Sequence, residues 1–289
     1  MFAISIKQEQ YQTYILSDQK AHSRIEVVPE RGGIITHWRI QGQNILYLDE
    51  ERFADPSLSI RGGIPILFPI CGNLPGNTYT HDNQEYTLKQ HGFARDLPWQ
   101  VIDSSTEGVA RLRLRLSSNA KTLAVYPFEF QLNFTYELQG NHLTLRQEYI
   151  NQSDRVMPFS TGLHPYFWVA DKTRLEFDLP ASHSQDQNTQ EIHPFDGTFD
   201  FDQEEIDVAL RPVAAHQASM SNHRRNFKIT LNYCDRYSTL VFWTVQGKDY
   251  ACLEPWSAPR NALNTGENLL YLEPGQSCET HVTLSLSYL

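Results

Sequence analysis

From Phe128 to Leu138 every second residue is large and apolar. Phe128, Phe130, Leu132, Phe134, Tyr136 and Leu138 alternate with Glu129, Gln131, Asn133, Thr135 and Glu137. Side chains two positions apart share a face only on an extended strand, so the pattern predicts a strand with one wet face and one buried face. Gln139-Gly140-Asn141 supplies a turn, and Leu143, Leu145 and Tyr149 resume the alternation, which predicts an antiparallel hairpin. The same signature recurs at 109–116, 227–233 and 282–288. Shorter strand candidates lie at 2–6, 24–28, 34–40, 99–102, 174–179 and 240–245, separated by turn residues such as Gly42, Gly108, Gly247 and Pro274-Gly275. No ten-residue segment carries a helical stripe. Many strands, each with one apolar face, must bury those faces on one another. The expected fold is therefore all-β, a large antiparallel β-sandwich formed by residues 1–289 as a single domain. Residues 53–92 are rich in Gly, Pro and Asn, residues 180–205 are polar and acidic, and both stretches are expected to be long loops.

Charge and cysteine usage narrow the partners. The net charge of the 289-residue chain is −10, and it has no dense Lys/Arg block, which disfavours nucleic acid and anionic membranes. Arg111, Arg113 and Arg115 alternate with leucines and read as the solvated face of a strand. The four cysteines, Cys71, Cys234, Cys252 and Cys278, form no C-x-x-C pair. The amino terminus turns polar at Lys7-Gln8-Glu9-Gln10, and no apolar run is long enough to span a bilayer. These features predict a cytoplasmic protein with free thiols, not a membrane protein.

Four clusters carry the chemistry. Ser59 to Pro69 holds Arg61 beside Gly62-Gly63, a pair that allows close backbone approach but lacks the spacing of a dinucleotide loop. His91-Gly92-Phe93-Ala94-Arg95-Asp96-Leu97-Pro98-Trp99 reads as a loop entering a strand at Trp99. Ser160 to Trp168 sets His164 among Gly, Pro and aromatic residues, the company that grips the apolar face of a sugar. Finally, Glu254 ends the apolar strand pattern 250–253 and precedes Pro255-Trp256. Partial burial of that carboxylate raises its pKa and suits it to proton transfer.

With Arg61-Gly62-Gly63-Ile64-Pro65, His91-Gly92-Phe93-Ala94-Arg95, Gly162-Leu163-His164-Pro165-Tyr166-Phe167 and Glu254-Pro255-Trp256 in this order, the chain resembles the aldose 1-epimerase family, the galactose mutarotase-like proteins, nearly end to end. The resemblance implies a supersandwich whose concave face holds a hexose. It implies that His164 exchanges a proton with the ring oxygen and that Glu254 takes one from the anomeric hydroxyl. It implies further that His91 binds the sugar and supports charge near the ring oxygen. An aspartate that holds sugar hydroxyls is assigned to Asp207. The Gly-Arg pair of the galactose enzymes corresponds to Gly72-Asn73, which makes Asn73 a substrate-binding candidate. Arg61 supplies the cation instead, as in the hexose-6-phosphate branch, and Arg95 completes the binding set.

This chemistry transfers protons only, so neither cofactor nor metal is expected, and the partner is a small sugar, a hexose or a hexose 6-phosphate, bound by a monomer or homodimer. An acid and a base on opposite sides of the C1–oxygen bond suffice. A phosphorylated substrate would use Arg61, Arg95 and Arg260. A non-catalytic sugar-binding protein would keep the aromatics without needing both Glu254 and His164. A metal site would use His91, His164 and Glu254, though no local H-x-H or H-E-x-x-H pair supports it. Serine-hydrolase chemistry lacks its G-x-S-x-G elbow, and glycosidase chemistry lacks a second assignable acid.

Overall fold

A computed structural model describes residues 1–289. The alternating segments form antiparallel ladders, as expected of a one-faced pattern. The hairpin at the centre pairs Phe130–Gln139 with His142–Asn151, from Phe130 opposite Asn151 to Gln139 opposite His142. These strands lie inside an eight-stranded sheet. Its order in space is Leu175–Asp178, Gln217–Asn222, Phe227–Tyr233, Ser277–Tyr288, His142–Asn151, Phe130–Gln139, Ala110–Ser117 and Gln100–Ser105. A second eight-stranded sheet packs its inner face on the first. It runs Ile192–Pro194, His183–Asp186, Glu205–Leu210, Thr239–Val245, Tyr250–Trp256, Gly162–Leu163 and Ile66–Leu67, with Tyr166–Trp168 also paired to Tyr250–Trp256. An amino-terminal five-stranded meander, from Phe2–Gln8 to Gln43–Asn44, completes the all-β architecture.

Two expectations about loops need correction. Residues 53–92 contain the strand Ile66–Leu67 and a small hairpin, Thr78–His81 with Gln84–Thr87. Residues 180–205 contain His183–Asp186 and Ile192–Pro194. Both were hidden because these strands are two to four residues long, too short for an alternation to show. The strand Gln12–Asp18 lacked a marked pattern, and Gln217–Asn222 carries small residues whose burial comes from neighbours. Glu254 does not end its strand, which runs on through Pro255 to Trp256. The Arg111, Arg113 and Arg115 row is a half-exposed face alternating with buried leucines, and all four cysteines are unpaired.

The main core contains 54 buried residues between the layers. Phe68 is its aromatic hub: the rings of Phe93, Tyr126, Phe130, Tyr149 and Phe159 all lie within 6.0 Å. Burial of one such ring stabilises the fold by about 1.5–3 kcal/mol. The hub also anchors a loop, because the Phe68 carbonyl accepts hydrogen bonds from the amides of Phe93 and Ala94 at 3.0 and 3.3 Å. Gly92 is required there. Its φ is +70°, and a β-carbon would stand 2.2 Å from the Phe68 oxygen. The strand Thr239–Val245 is buried at six consecutive positions, and Tyr250–Trp256 is buried throughout. The outer face of this sheet is covered by a separate apolar cluster that includes Tyr166, Val241, Trp243, Cys252 and Trp256. A polar cavity sits on that cluster.

Candidate active site

Strand geometry brings the histidines and the glutamate together. Glu254 and Trp256 are two residues apart on one strand and so share its outer face. Tyr166–Trp168 pairs with that strand and Gly162–Leu163 lies beside it, which sets His164, between these two segments, against Glu254. The His164 amide donates to the Pro65 carbonyl at 3.1 Å, and its ring stacks on Tyr166 at 4.6 Å and 8°. The His164 Nε2 lies 3.3 Å from Glu254 Oε1. The other carboxylate oxygen, Oε2, accepts the indole N–H of Trp256 at 3.0 Å.

His91 enters from the loop tied to Phe68. Its backbone is left-handed, with φ +65°, and is locked by a reciprocal contact. The His91 amide donates to the Gly72 carbonyl at 2.7 Å, and the Gly72 amide donates to His91 Nδ1 at 3.0 Å. Because Nδ1 accepts, the neutral ring carries its proton on Nε2. The His91 ring meets His164 and Trp256 edge-on, each at 5.6 Å.

These groups line a cavity of about 280 Å³ together with Arg61, Arg95, Glu205, Asp207, Trp243 and Arg260. Arg260 Nη2 donates to Asp207 Oδ2 at 2.9 Å, and Gln187 Nε2 donates to Asp207 Oδ1 at 3.3 Å. The Arg61 guanidinium lies 4.9 Å above the Trp243 ring, whose N–H donates to Glu205 at 2.7 Å. Arg95 donates to the Gln90 carbonyl at 2.9 Å. The Nε atoms of Arg95 and Arg260 and the Nδ1 of His164 are buried without a protein partner.

Burial dominates the electrostatics. It pushes His164 well below the usual histidine range, and the guanidiniums of Arg95 and Arg61 push the same way. His91 is lowered likewise, first by burial, then by Arg95, His164, Arg260 and Arg61. Burial and then Asp207 push Glu254 well above the usual carboxylate range, against the Trp256 hydrogen bond, Arg260 and Arg95. Asp207 is raised by burial against the opposing pull of Arg260. Each group of the His164–Glu254 pair is thus driven toward its neutral form, and the pair as a unit holds one proton.

Of the residues singled out in the sequence, His91, His164, Glu254, Arg61, Arg95 and Asp207 meet at this cavity. Asn73 does not line it. Arg260 does line it, and its side chain lies over Gly72, where a β-carbon would stand 2.8 Å from Arg260 Cγ. The expected opposition of acid and base across the bond is also corrected, because His164 and Glu254 touch on one edge of the cavity. O1 and the ring oxygen share C1, so one edge can reach both. Trp243, Glu205, Gln187 and Asn188 were not legible as site residues. The one available signal was the unbroken apolar run at 240–243, which marks a sheet covered on both faces. For a metal, the closest set of donor atoms is His164, Cys252 and Glu254, within 4.8 Å of one another, without His91. The set fits a cation poorly. Arg61 faces Cys252, and His164 Nδ1 has no acceptor to orient the ring.

The protein-family model described as Aldose 1-epimerase matches residues 14–285. The chain belongs to the aldose 1-epimerase family. It is accordingly an isomerase acting on carbohydrate. It is similar to several solved structures over its full length. The Slr1438 protein of Synechocystis is 49% identical, covers 100% of both chains and superposes with a TM-score of 0.96. A galactose mutarotase-like protein of Clostridium acetobutylicum shares the fold, with a TM-score of 0.84 at 17% identity over 100% of this chain and 99% of the other. A Cenchrus ciliaris protein provisionally named a glucose-6-phosphate 1-epimerase is 24% identical over 278 residues, 88% of this chain and 79% of its own. No helix of this family member is long and apolar enough to cross a membrane.

Proposed function

We propose that the protein interconverts the α and β anomers of a hexose, with His164 and Glu254 as its proton-transfer pair and residues 1–289 acting as one unit. The observation that carries this reading is the 3.3 Å contact between two buried, oppositely titrating groups at the edge of a polar cavity. Ring opening removes a proton from O1 and delivers one to the ring oxygen. The one proton of the pair first passes from Glu254 Oε1 to His164 Nε2. Glu254 then takes the O1 proton, and His164 supplies its proton to the ring oxygen as the C1–ring-oxygen bond breaks and O1 becomes the aldehyde oxygen. Rotation about C1–C2 then turns the other aldehyde face inward, and closure reverses both transfers. The pair ends with the one proton it began with. In this reading the Nε2–H of His91 steadies the ring oxygen, and Asp207, Arg61 and Arg95, which line the same cavity, hold hydroxyls. A protein that only bound sugar would gain nothing from burying a histidine and a glutamate in contact.

The pair is active with one proton and inactive with two or none. The acid limb of the rate profile follows the lowered His164 and falls below pH 6.5; the alkaline limb follows the raised Glu254 and lies above 4.5. Activity therefore falls as pH drops through the first value and as it rises through the second. A profile flat from acid to alkaline pH would remove the pair from the mechanism.

A second reading, a hexose 6-phosphate as substrate, is favoured by the three guanidiniums in one small cavity, two of them with a free Nε. Polarimetry on glucose and glucose 6-phosphate decides between them. If the phosphate is recognised, kcat/KM is at least tenfold higher for glucose 6-phosphate and falls with salt. Equal values assign the guanidiniums to hydroxyl binding.

A further inference from the structure

We propose that Trp256 is a positioning residue that confines the exchangeable proton of Glu254 to Oε1, the oxygen facing His164. This rests on the reading of Glu254 as a proton-transfer group.

An indole N–H donates and never accepts. Trp256 Nε1 points it at Glu254 Oε2 at 3.0 Å, and Trp256 is 2% exposed, so water does not compete for the contact. A protonated Oε2 would present its own hydrogen to the indole, or turn it away and accept through a hydroxyl lone pair, a weaker acceptor than the carbonyl oxygen. The carboxyl proton therefore resides on Oε1, 3.3 Å from His164 Nε2, where the pair can pass it. The indole is itself held. Gly162 lies opposite Trp256 in the ladder, and a β-carbon there would stand 2.8 Å from the indole Cδ1. Its ring also packs on His91. The strand fixes the rest, since residues 254 and 256 project from the same face.

Other charged groups face Glu254 as well. Asp207, two strands away across Thr239–Val245, opposes its ionisation, while Arg260 and Arg95 from two loops favour it. The thiols of Cys71 and Cys252 and the phenol of Tyr166 lie near and are held neutral by burial. None of these bonds a named oxygen of the carboxylate: His164 faces Oε1, and Trp256 alone bonds Oε2.

The test is Trp256→Phe, which keeps an aromatic ring and deletes the donor. Its first readout is the infrared carboxyl band of Glu254, assigned by its absence in Glu254→Gln and titrated without substrate. Losing a bond that favours the carboxylate raises the midpoint by about one pH unit and broadens the band, as the proton samples both oxygens. The second readout is the rate profile on whichever anomer proves to be substrate. The alkaline limb moves up by the same amount, with kcat down about tenfold and KM within twofold. An unchanged midpoint and band in folded Trp256→Phe overturns the proposal, whatever the rate does. A shifted band with no epimerase activity in the parent protein upholds the positioning and rejects the functional reading instead. If Trp256→Phe does not fold, Gly162→Ala displaces the indole rather than deleting it; the same shift supports the proposal and no shift overturns it.

Discussion

Glu254→Gln lowers kcat by about 10²–10⁴-fold and leaves KM within a factor of about three. The amide is nearly the same size as the carboxyl, and the environment specifies its orientation. The Trp256 indole needs an acceptor, so the amide oxygen takes the Oε2 position and the NH₂ faces His164 Nε2. Packing is kept and the sugar still binds. What disappears is a group that can accept the O1 proton. Stopped-flow polarimetry of a freshly dissolved anomer, corrected for the uncatalysed rate in buffer, reads the loss. An equal loss in kcat and in binding would reduce Glu254 to a hydrogen-bonding contact.

His164→Gln produces a loss of the same size, about 10²–10⁴-fold in kcat. Glutamine can donate a hydrogen bond to the ring oxygen but cannot release the proton. The substitution also removes the stack on Tyr166 and leaves Glu254 without its partner at 3.3 Å. Burial already holds Glu254 toward its neutral form, so the orphaned carboxyl stays protonated and the fold survives. The sharper measurement is the double variant. If the two residues pass one proton between them, removing both costs little more than removing either. Losses that multiply would mean that each acts on the sugar alone.

Much of this was legible in the chain, for a physical reason. Strands with one wet face write their geometry into the residue order, and the Phe128 to Leu138 row is the clearest case. The sheet beneath the cavity is wet on neither face, so Thr239–Val245 and Tyr250–Trp256 read as apolar runs that say nothing about what lies above them. Trp243 and Glu205 stayed invisible for that reason. His91, His164 and Glu254 were found through short motifs, and their motifs carried no distance. That His164 and Glu254 touch comes only from the pairing of Tyr166–Trp168 with Tyr250–Trp256. Asn73 failed because position in the chain is not position in space. Gly72 has no side chain, and the arginine that lies over it comes from residue 260.

The tie between the Phe68 carbonyl and the loop bearing His91 has a consequence for how such a protein ages and fails. One of the two imidazoles sits on a loop bonded to the carbonyl of the core residue Phe68. Heat or a truncating lesion in the interior would therefore silence the catalyst at the same moment that it loosens the scaffold. A population of these molecules should contain working copies and collapsed ones, with no intact but idle form between them.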